Sequence, residues 1–236
     1  MRVHYIGASA RGPLHSELGS SNQDAWKGAK VRGGVVIAVA DGMGSKPLAA
    51  LGARKACAAA ITATGLWWKS DDSRADALPD LIESHWRASL GSVSPDDARA
   101  TCLVAGISPG GAMVVAALGD GVALVTSEDC AAELVTAERT GFGNETHALG
   151  STPTLGVWRV SMRSSMEPGT VVMLATDGVA DDLVPDRRPG FAREIVDAFG
   201  GLPPWRRRFS LWRALRAWPT PGHTDDKTVA VLWRSR

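Results

Sequence analysis

The feature that most limits what this chain can fold into is a series of aspartates, each set beside a short apolar run. Val35-Val-Ile-Ala-Val-Ala leads into Asp41-Gly42-Met43-Gly44, and Val171-Val-Met-Leu-Ala leads through Thr176 into Asp177-Gly178-Val179. Ala117-Leu118-Gly119 precedes Asp120-Gly121, and His223-Thr-Asp225-Asp226-Lys227 opens a last run, Thr228–Trp233. Apolar runs of this length, rich in β-branched residues and bounded by Gly, Pro, Asp or Ser, read as strands. A strand that ends in Asp carries a carboxylate to the rim of a rigid sheet. A following Gly has no Cβ, so the backbone can close on whatever the carboxylate holds. One such pair reads as a turn. Four of them, together with Asn22-Gln23-Asp24, read as a site.

Carboxylates that converge on one rim repel one another, and their pKa values rise. A divalent cation removes that cost. Cys57, Cys102 and Cys130 are widely spaced with no C-x-x-C pair, which argues against a Cys-ligated zinc site and a disulfide framework. Oxygen donors without a Cys or His framework call for a hard cation such as Mg²⁺ or Mn²⁺.

Further strands are expected at Thr101–Ile107, Met113–Leu118 and Val122–Val125, with Ser108-Pro109-Gly110-Gly111 turning a hairpin. Ser45 is expected to cap a helix that runs to about Thr64, with Pro47 in its first turn. Further helices are expected over Ala77–Leu90 and Pro189–Phe199. Hairpin-linked strands with grouped helices point to an α+β fold. No repeat or linker divides the chain, so residues 1–236 read as a single domain. The polar, aperiodic stretch at about 137–156 reads as an excursion from the sheet.

Charge is nearly balanced, 26 Lys+Arg against 25 Asp+Glu, so the chain lacks the excess typical of nucleic-acid or membrane-surface binders. No apolar run nears the roughly 18 residues that span a bilayer. Met1–Gly12 has no apolar signal core. The expectation is a cytoplasmic protein with no nucleic-acid and no membrane partner. Within 205–218, Arg206, Arg213 and Arg216 fall opposite Leu211, Leu215 and Trp218 at helical spacing. That pattern reads as a helix packed on the sheet with a solvated Arg face. The other reading is a docking helix for a partner or for an anionic surface.

Taken in order, Asn22-Gln23-Asp24-Ala25, Ala40-Asp41-Gly42-Met43-Gly44, Gly119-Asp120-Gly121, Thr176-Asp177-Gly178 and Asp225-Asp226-Lys227-Thr228 resemble the motif series of metal-dependent (type 2C, PPM) serine/threonine protein phosphatases. The likeness runs from about His15 to Leu232 and is nearest to the bacterial single-domain branch. It implies a central β-sandwich of two antiparallel sheets flanked by helices on both sides, a four-layer αββα arrangement with Mn²⁺ or Mg²⁺ at one end. By position, Asp41 bridges two ions and the Gly42 carbonyl joins one of them. Asp177 and Asp225 ligate the other ion, and Asp24 acts through bound water. Asp97 or Asp96 holds a third ion. Asp120 and Asp226 are supporting neighbours, and the 137–156 stretch is the flap beside the site. The implied reaction is attack of a metal-bridging hydroxide on phosphoserine or phosphothreonine. Its substrate is a phosphoprotein, the target of a Ser/Thr kinase or the kinase itself.

The chain departs from the family pattern at four places. Gln23 stands where many members have Glu, and Asp226 where Asn is usual. Position 19 is Gly where many have a phosphate-gripping Arg, leaving His15 or Arg11 as substitutes. Met43 stands where some members have a His proposed as general acid; His223 is a candidate for that role. A pseudophosphatase acting as a binding or regulatory module is the alternative, which the retained Asp24, Asp41, Asp177 and Asp225 oppose.

Overall fold

In the computed structural model, which describes residues 2–70, 74–127, 131–136, 147–151, 157–219 and 224–235, the apolar runs become the middle of a sandwich. Its elements in chain order are β1 (Val3–Ala10), α1 (Pro13–Glu17), β2 (Asp24–Val31), β3 (Gly34–Asp41), α2 (Ala49–Trp67), α3 (Ala77–Leu90), β4 (Cys102–Ile107), β5 (Met113–Leu118) and β6 (Val122–Thr126). The rest are β7 (Glu133–Leu134), β8 (Arg159–Arg163), β9 (Val171–Ala175), α4 (Asp177–Ala180), α5 (Arg188–Phe199), α6 (Pro204–Arg216) and β10 (Lys227–Arg234). One sheet has the order β1-β10-β9-β6-β7 and the other β2-β3-β4-β5-β8, with antiparallel pairing throughout.

Side chains alternate between the two faces of a strand, and on β3 both faces are buried. Val36, Ala38 and Ala40 pack with α2 and α3, whereas Val35, Ile37 and Val39 meet Val172, Leu174, Ala230 and Leu232 of the opposite sheet. Burial on both sides is why β3 is uninterrupted apolar sequence. On the far side, Ile195, Leu211 and Leu215 cover Val229, Val231 and Trp233. The result is the expected αββα, α+β sandwich.

The layer under α2 is thin because the helix presents Ala53, Ala56, Ala60 and Ala63 to the sheet. At Gly52 a Cβ would lie 1.8 Å from the Ala98 carbonyl oxygen, so only Gly lets the chain pass that close. Trp86 of α3 is fully buried and donates its indole N–H to Gly52 O at 3.1 Å, joining the two helices.

The strands and helices expected from sequence are present to within a few residues, with one correction. Ser45 does not cap α2, which starts at Ala49 with no side-chain cap. Leu48 N–H instead donates to Asp97 O at 2.9 Å, and Lys46 N–H to Met43 O, so the segment between Asp41 and α2 turns against the 3₁₀ stretch Pro95–Ala98 before the helix begins. Strands β1, β2, β7 and β8 were not expected. β1 and β2 carry Gly7 and Gly28 in mid-strand, which weakens a strand signal. Their use is steric: a Cβ at Gly7 would sit 2.4 Å from the Trp26 ring, and one at Gly28 2.4 Å from the Tyr5 ring. Among the described residues no helix is long and apolar enough to cross a membrane. Of the 137–156 excursion only 147–151 is described; Cys130 and His223 also lie outside the described residues.

Candidate metal centre

The strand ends that carry aspartate lie at one end of the sandwich. Asp24 opens β2 and Asp41 closes β3, and the two are register partners across that pair. Asp177 follows β9, Asp225 and Asp226 precede β10, and Asp120 sits in the turn between β5 and β6. Carboxylate oxygens of Asp41, Asp120 and Asp177 lie within 4.8 Å of one another. A ring nitrogen of His15 and carboxylate oxygens of Asp225 and Asp226 form a second group within the same distance.

Hydrogen bonds to backbone and hydroxyl groups fix the chain at Asp24, Asp41, Asp177 and Asp225. Thr176 Oγ1 donates to Asp24 Oδ2 at 2.8 Å, and Asp24 N–H donates to Asn22 Oδ1 at 2.8 Å. Asp41 N–H donates to Thr101 Oγ1 at 2.9 Å, while Asp41 O accepts Thr101 N–H at 2.8 Å, tying the end of β3 to the start of β4. Asp177 Oδ1 accepts Gly178 N–H at 2.7 Å, and Asp225 Oδ1 accepts Asp226 N–H at 2.7 Å. The glycines behind the aspartates answer to close packing. A Cβ on Gly42 would stand 2.3 Å from Ala49 O, and one on Gly178 would stand 1.9 Å from Asp226 O.

Charge is concentrated here, on acids that stand close to one another. Burial, then the neighbouring Asp24, Asp177 and Asp225, push the Asp41 carboxyl well above its usual range. Burial, then Asp120 and Asp225, push Asp177 up to about 6. Burial takes Asp24 to about 8 against the pull of its Thr176 hydrogen bond. A set of acid oxygens that cannot all ionise together is a donor set suited to a hard divalent cation. The residues present therefore fit such an ion, with Asp41, Asp120, Asp177 and Asp225 as the side chains able to hold it. The resemblance made Asp120 a rim support; the geometry brings it into the first cluster.

Asp226 has a different job. Its Oδ1 accepts Gly12 N–H at 2.7 Å, and its Oδ2 accepts Gln23 N–H at 2.6 Å and lies 2.9 Å from His15 Nδ1. Both oxygens are thus used to bind the segment before α1 and the residue before Asp24. Asn in this place has only one acceptor oxygen and would turn its NH₂ toward an N–H donor. That is a physical reason for Asp226 where the family has Asn. Sequence reading missed Lys227, which is 3% exposed and donates from Nζ to Gly178 O at 2.5 Å and Asp182 Oδ2 at 2.8 Å. It ties β10, behind Asp225, to the turn behind Asp177. Its one sequence signal is a cation just ahead of the apolar run Val229–Trp233.

The remaining candidates are apart from the two clusters. Asp96 is exposed, and its two oxygens hold Lys46 at 2.9 Å and Arg99 at 2.5 Å, both cations pulling its pKa down. Asp97 is half-buried beside it. Neither joins an acidic or His group among the described residues. Gln23 O accepts Gly42 N–H at 3.1 Å, and its side-chain oxygen faces Gly44. Arg11 donates to Ser16 Oγ and Ser20 O and lines a cleft of about 430 Å³ with Gly12, Ser16, Trp212, Arg216 and Asp225.

The family model "Protein phosphatase 2C" matches residues 11–215, and the chain belongs to that family. No curated protein sequence matches it. The fold is shared with the S. agalactiae serine/threonine phosphatase, at a TM-score of 0.67 and 14% identity over 99% of this chain and 100% of that one. RsbX in complex with magnesium gives a TM-score of 0.61 at 16% identity, covering 98% of this chain and 94% of that one. A bacterial serine phosphatase gives 0.65 at 16% identity, covering 98% and 97%.

Proposed function

We propose that this chain is a single-domain, Mn²⁺- or Mg²⁺-dependent protein phosphatase that hydrolyses phosphoserine and phosphothreonine in a phosphoprotein. The observation that carries this reading is the convergence of Asp24, Asp41, Asp120, Asp177 and Asp225 at one end of the sandwich of a family member. Divalent ions bound there would supply a water of lowered pKa and positive charge to offset that of the phosphoryl oxygens. Asp41, with the Gly42 carbonyl, Asp177 and Asp225 would hold them, and Asp120 joins this set on its distance. Asp24 fixes the end of β2 opposite Asp41. A third ion falls to Asp97, because Asp96 already spends both oxygens on Lys46 and Arg99.

The chain supplies the rest of substrate binding. Arg11 uses two of its five N–H donors on the loop, so donors remain for a phosphoryl oxygen in the cleft that Asp225 also lines. That makes Arg11 the better supported replacement for the Arg absent at position 19. His15 is engaged by Asp226 and acts as a positioning residue. Cys57 and Cys102 are buried free thiols, consistent with a reducing cytoplasm.

Phosphate release from phosphothreonine and phosphoserine peptides, with and without Mn²⁺, tests the reading. Turnover that requires the ion and is abolished in Asp41→Asn supports it. No turnover by the wild type at saturating Mn²⁺ contradicts it and leaves a binding module.

A further inference from the structure

α6 differs from every other helix described. Between Pro203 and Pro219 it carries five arginines and no acid. Leu211 and Leu215 are buried on the sheet, which leaves the opposite face to solvent. On that face Trp205 is 68% exposed and Phe209 54%. Large aromatic rings held in water beside a row of arginines are an unusual surface for a folded domain.

The guanidinium groups are ordered without being neutralised. Arg206 lies over Trp205 at 5.3 Å from the ring centroid, Arg208 over Trp26 at 5.1 Å, Arg213 over Phe209 at 6.0 Å and Arg216 over Trp212 at 4.9 Å. None of these four forms an ion pair with a carboxylate among the described residues. Stacking fixes the plane of a guanidinium and leaves its N–H edge outward, the edge that grips a carboxylate in a fork. Such groups have already lost much of the freedom that binding would otherwise remove.

Place in the fold links this surface to the metal centre. A groove of about 740 Å³ is lined by Trp205 and Arg208 of α6, Arg54 of α2, and Trp26, Asn22 and Asp24. On the other side of α6, Trp212 and Arg216 line the cleft that reaches Asp225. Each of the two is lined both by an arginine of α6 and by an aspartate of the rim. We propose that the outer face of α6 docks an acidic segment of the substrate, Glu- or Asp-rich sequence adjoining the phosphorylated residue. The choice of occupant follows from charge: the aspartate rim disfavours an acidic chain, and the arginines of α6 offset that repulsion where the chain enters. The proposal rests on the phosphatase reading for what the segment belongs to.

The test separates the two. Fluorescence anisotropy with a fluorescein-labelled, unphosphorylated Glu-rich peptide, and with its Gln counterpart, measures docking in the absence of turnover. The wild type should bind the Glu peptide about tenfold more tightly, the size expected of three exposed charge pairs, and the Arg206→Gln/Arg208→Gln/Arg213→Gln variant should bind both alike. For phosphothreonine peptides with Glu-rich flanks, KM should rise about tenfold in that variant, with kcat and p-nitrophenyl phosphate turnover unchanged. The wild-type preference should also shrink as salt is raised, a check that needs no variant. Equal binding of Glu and Gln peptides by the wild type overturns the proposal and leaves the phosphatase reading intact. Tighter binding of an oligonucleotide or of phosphatidylglycerol vesicles than of the Glu peptide also overturns it. Preference for the Glu peptide in a protein without turnover keeps the acidic docking surface and removes the phosphatase reading.

Discussion

Asp24 and Asp41 face each other as register partners at the end of the β2–β3 pair, two acids on directly opposed positions of neighbouring strands. Like charges so placed destabilise a sheet unless a proton or a cation stands between them. The same conflict spreads through Asp177 and Asp225, and it governs how the protein responds to pH and to metal.

The first prediction concerns pH. Asp177 is raised to about 6 and Asp24 to about 8, each above the roughly 3.9 of an unfolded aspartate. Between those values the native state binds more protons than the unfolded state, so stability falls as pH rises and levels off above the folded values. In EDTA, the urea midpoint should drop from about pH 5 to about pH 8. Mn²⁺ at the alkaline end should restore it. Asp41→Asn should raise the metal-free midpoint at high pH and cancel most of the Mn²⁺ gain. A midpoint in EDTA that climbs over that range would count against the account.

Asp226→Asn restores the residue usual in the family, yet here it should be harmful. Gly12 N–H and Gln23 N–H each point at a separate carboxylate oxygen. An amide can satisfy only one of them, and the buried donor left over costs about 1–3 kcal/mol. Chemical denaturation should register that loss, and Mn²⁺ should bind more weakly because the residue before Asp24 is released. Unchanged stability would show that the two N–H groups do not depend on Asp226.

Lys227→Met tests the tie between β10 and the turn after Asp177. Removing one partner of a nearly buried ion pair leaves Asp182 unpaired, at a cost of about 3 kcal/mol. Adding Asp182→Asn should recover part of it, since the two changes share one interaction. Strictly additive losses would contradict the coupling.

Trp86→Ala removes the largest fully buried side chain and the indole N–H bond to Gly52 that joins α2 to α3. The loss should be about 3–5 kcal/mol. Because Trp86 is distant in role from the aspartates, residual folded protein should retain its Mn²⁺ affinity.

Much of the site was legible because its signals are local. A run such as Val171–Ala175 followed by Thr176-Asp177-Gly178 states both the strand and its rim in adjacent residues. β1 and β2 were not legible, since Gly7 and Gly28 exist to admit aromatic rings from the opposite sheet, a contact with no sequence signature. The start of α2 was misread for a similar reason: the Leu48 N–H is taken by Asp97, far along the chain, before any cap is needed. The work of Asp226 depends on partners 214 and 203 positions away, and that of Lys227 on partners 49 and 45 away. That the Asp120 carboxylate lies near those of Asp41 and Asp177 was not legible either, because turn sequence does not reveal which way a carboxylate faces. In each case the missing information is tertiary proximity, which period and motif do not encode.

The central claim is that the aspartate rim is a divalent-cation site built around Asp41. Calorimetric titration of the metal-free protein with Mn²⁺, repeated in two buffers of different ionisation heat, tests it most directly. The account predicts saturable binding of two ions, with protons released as raised carboxyls ionise, and loss of most of both signals in Asp41→Asn. Absence of binding by the wild type, or an isotherm unchanged by Asp41→Asn, would contradict it.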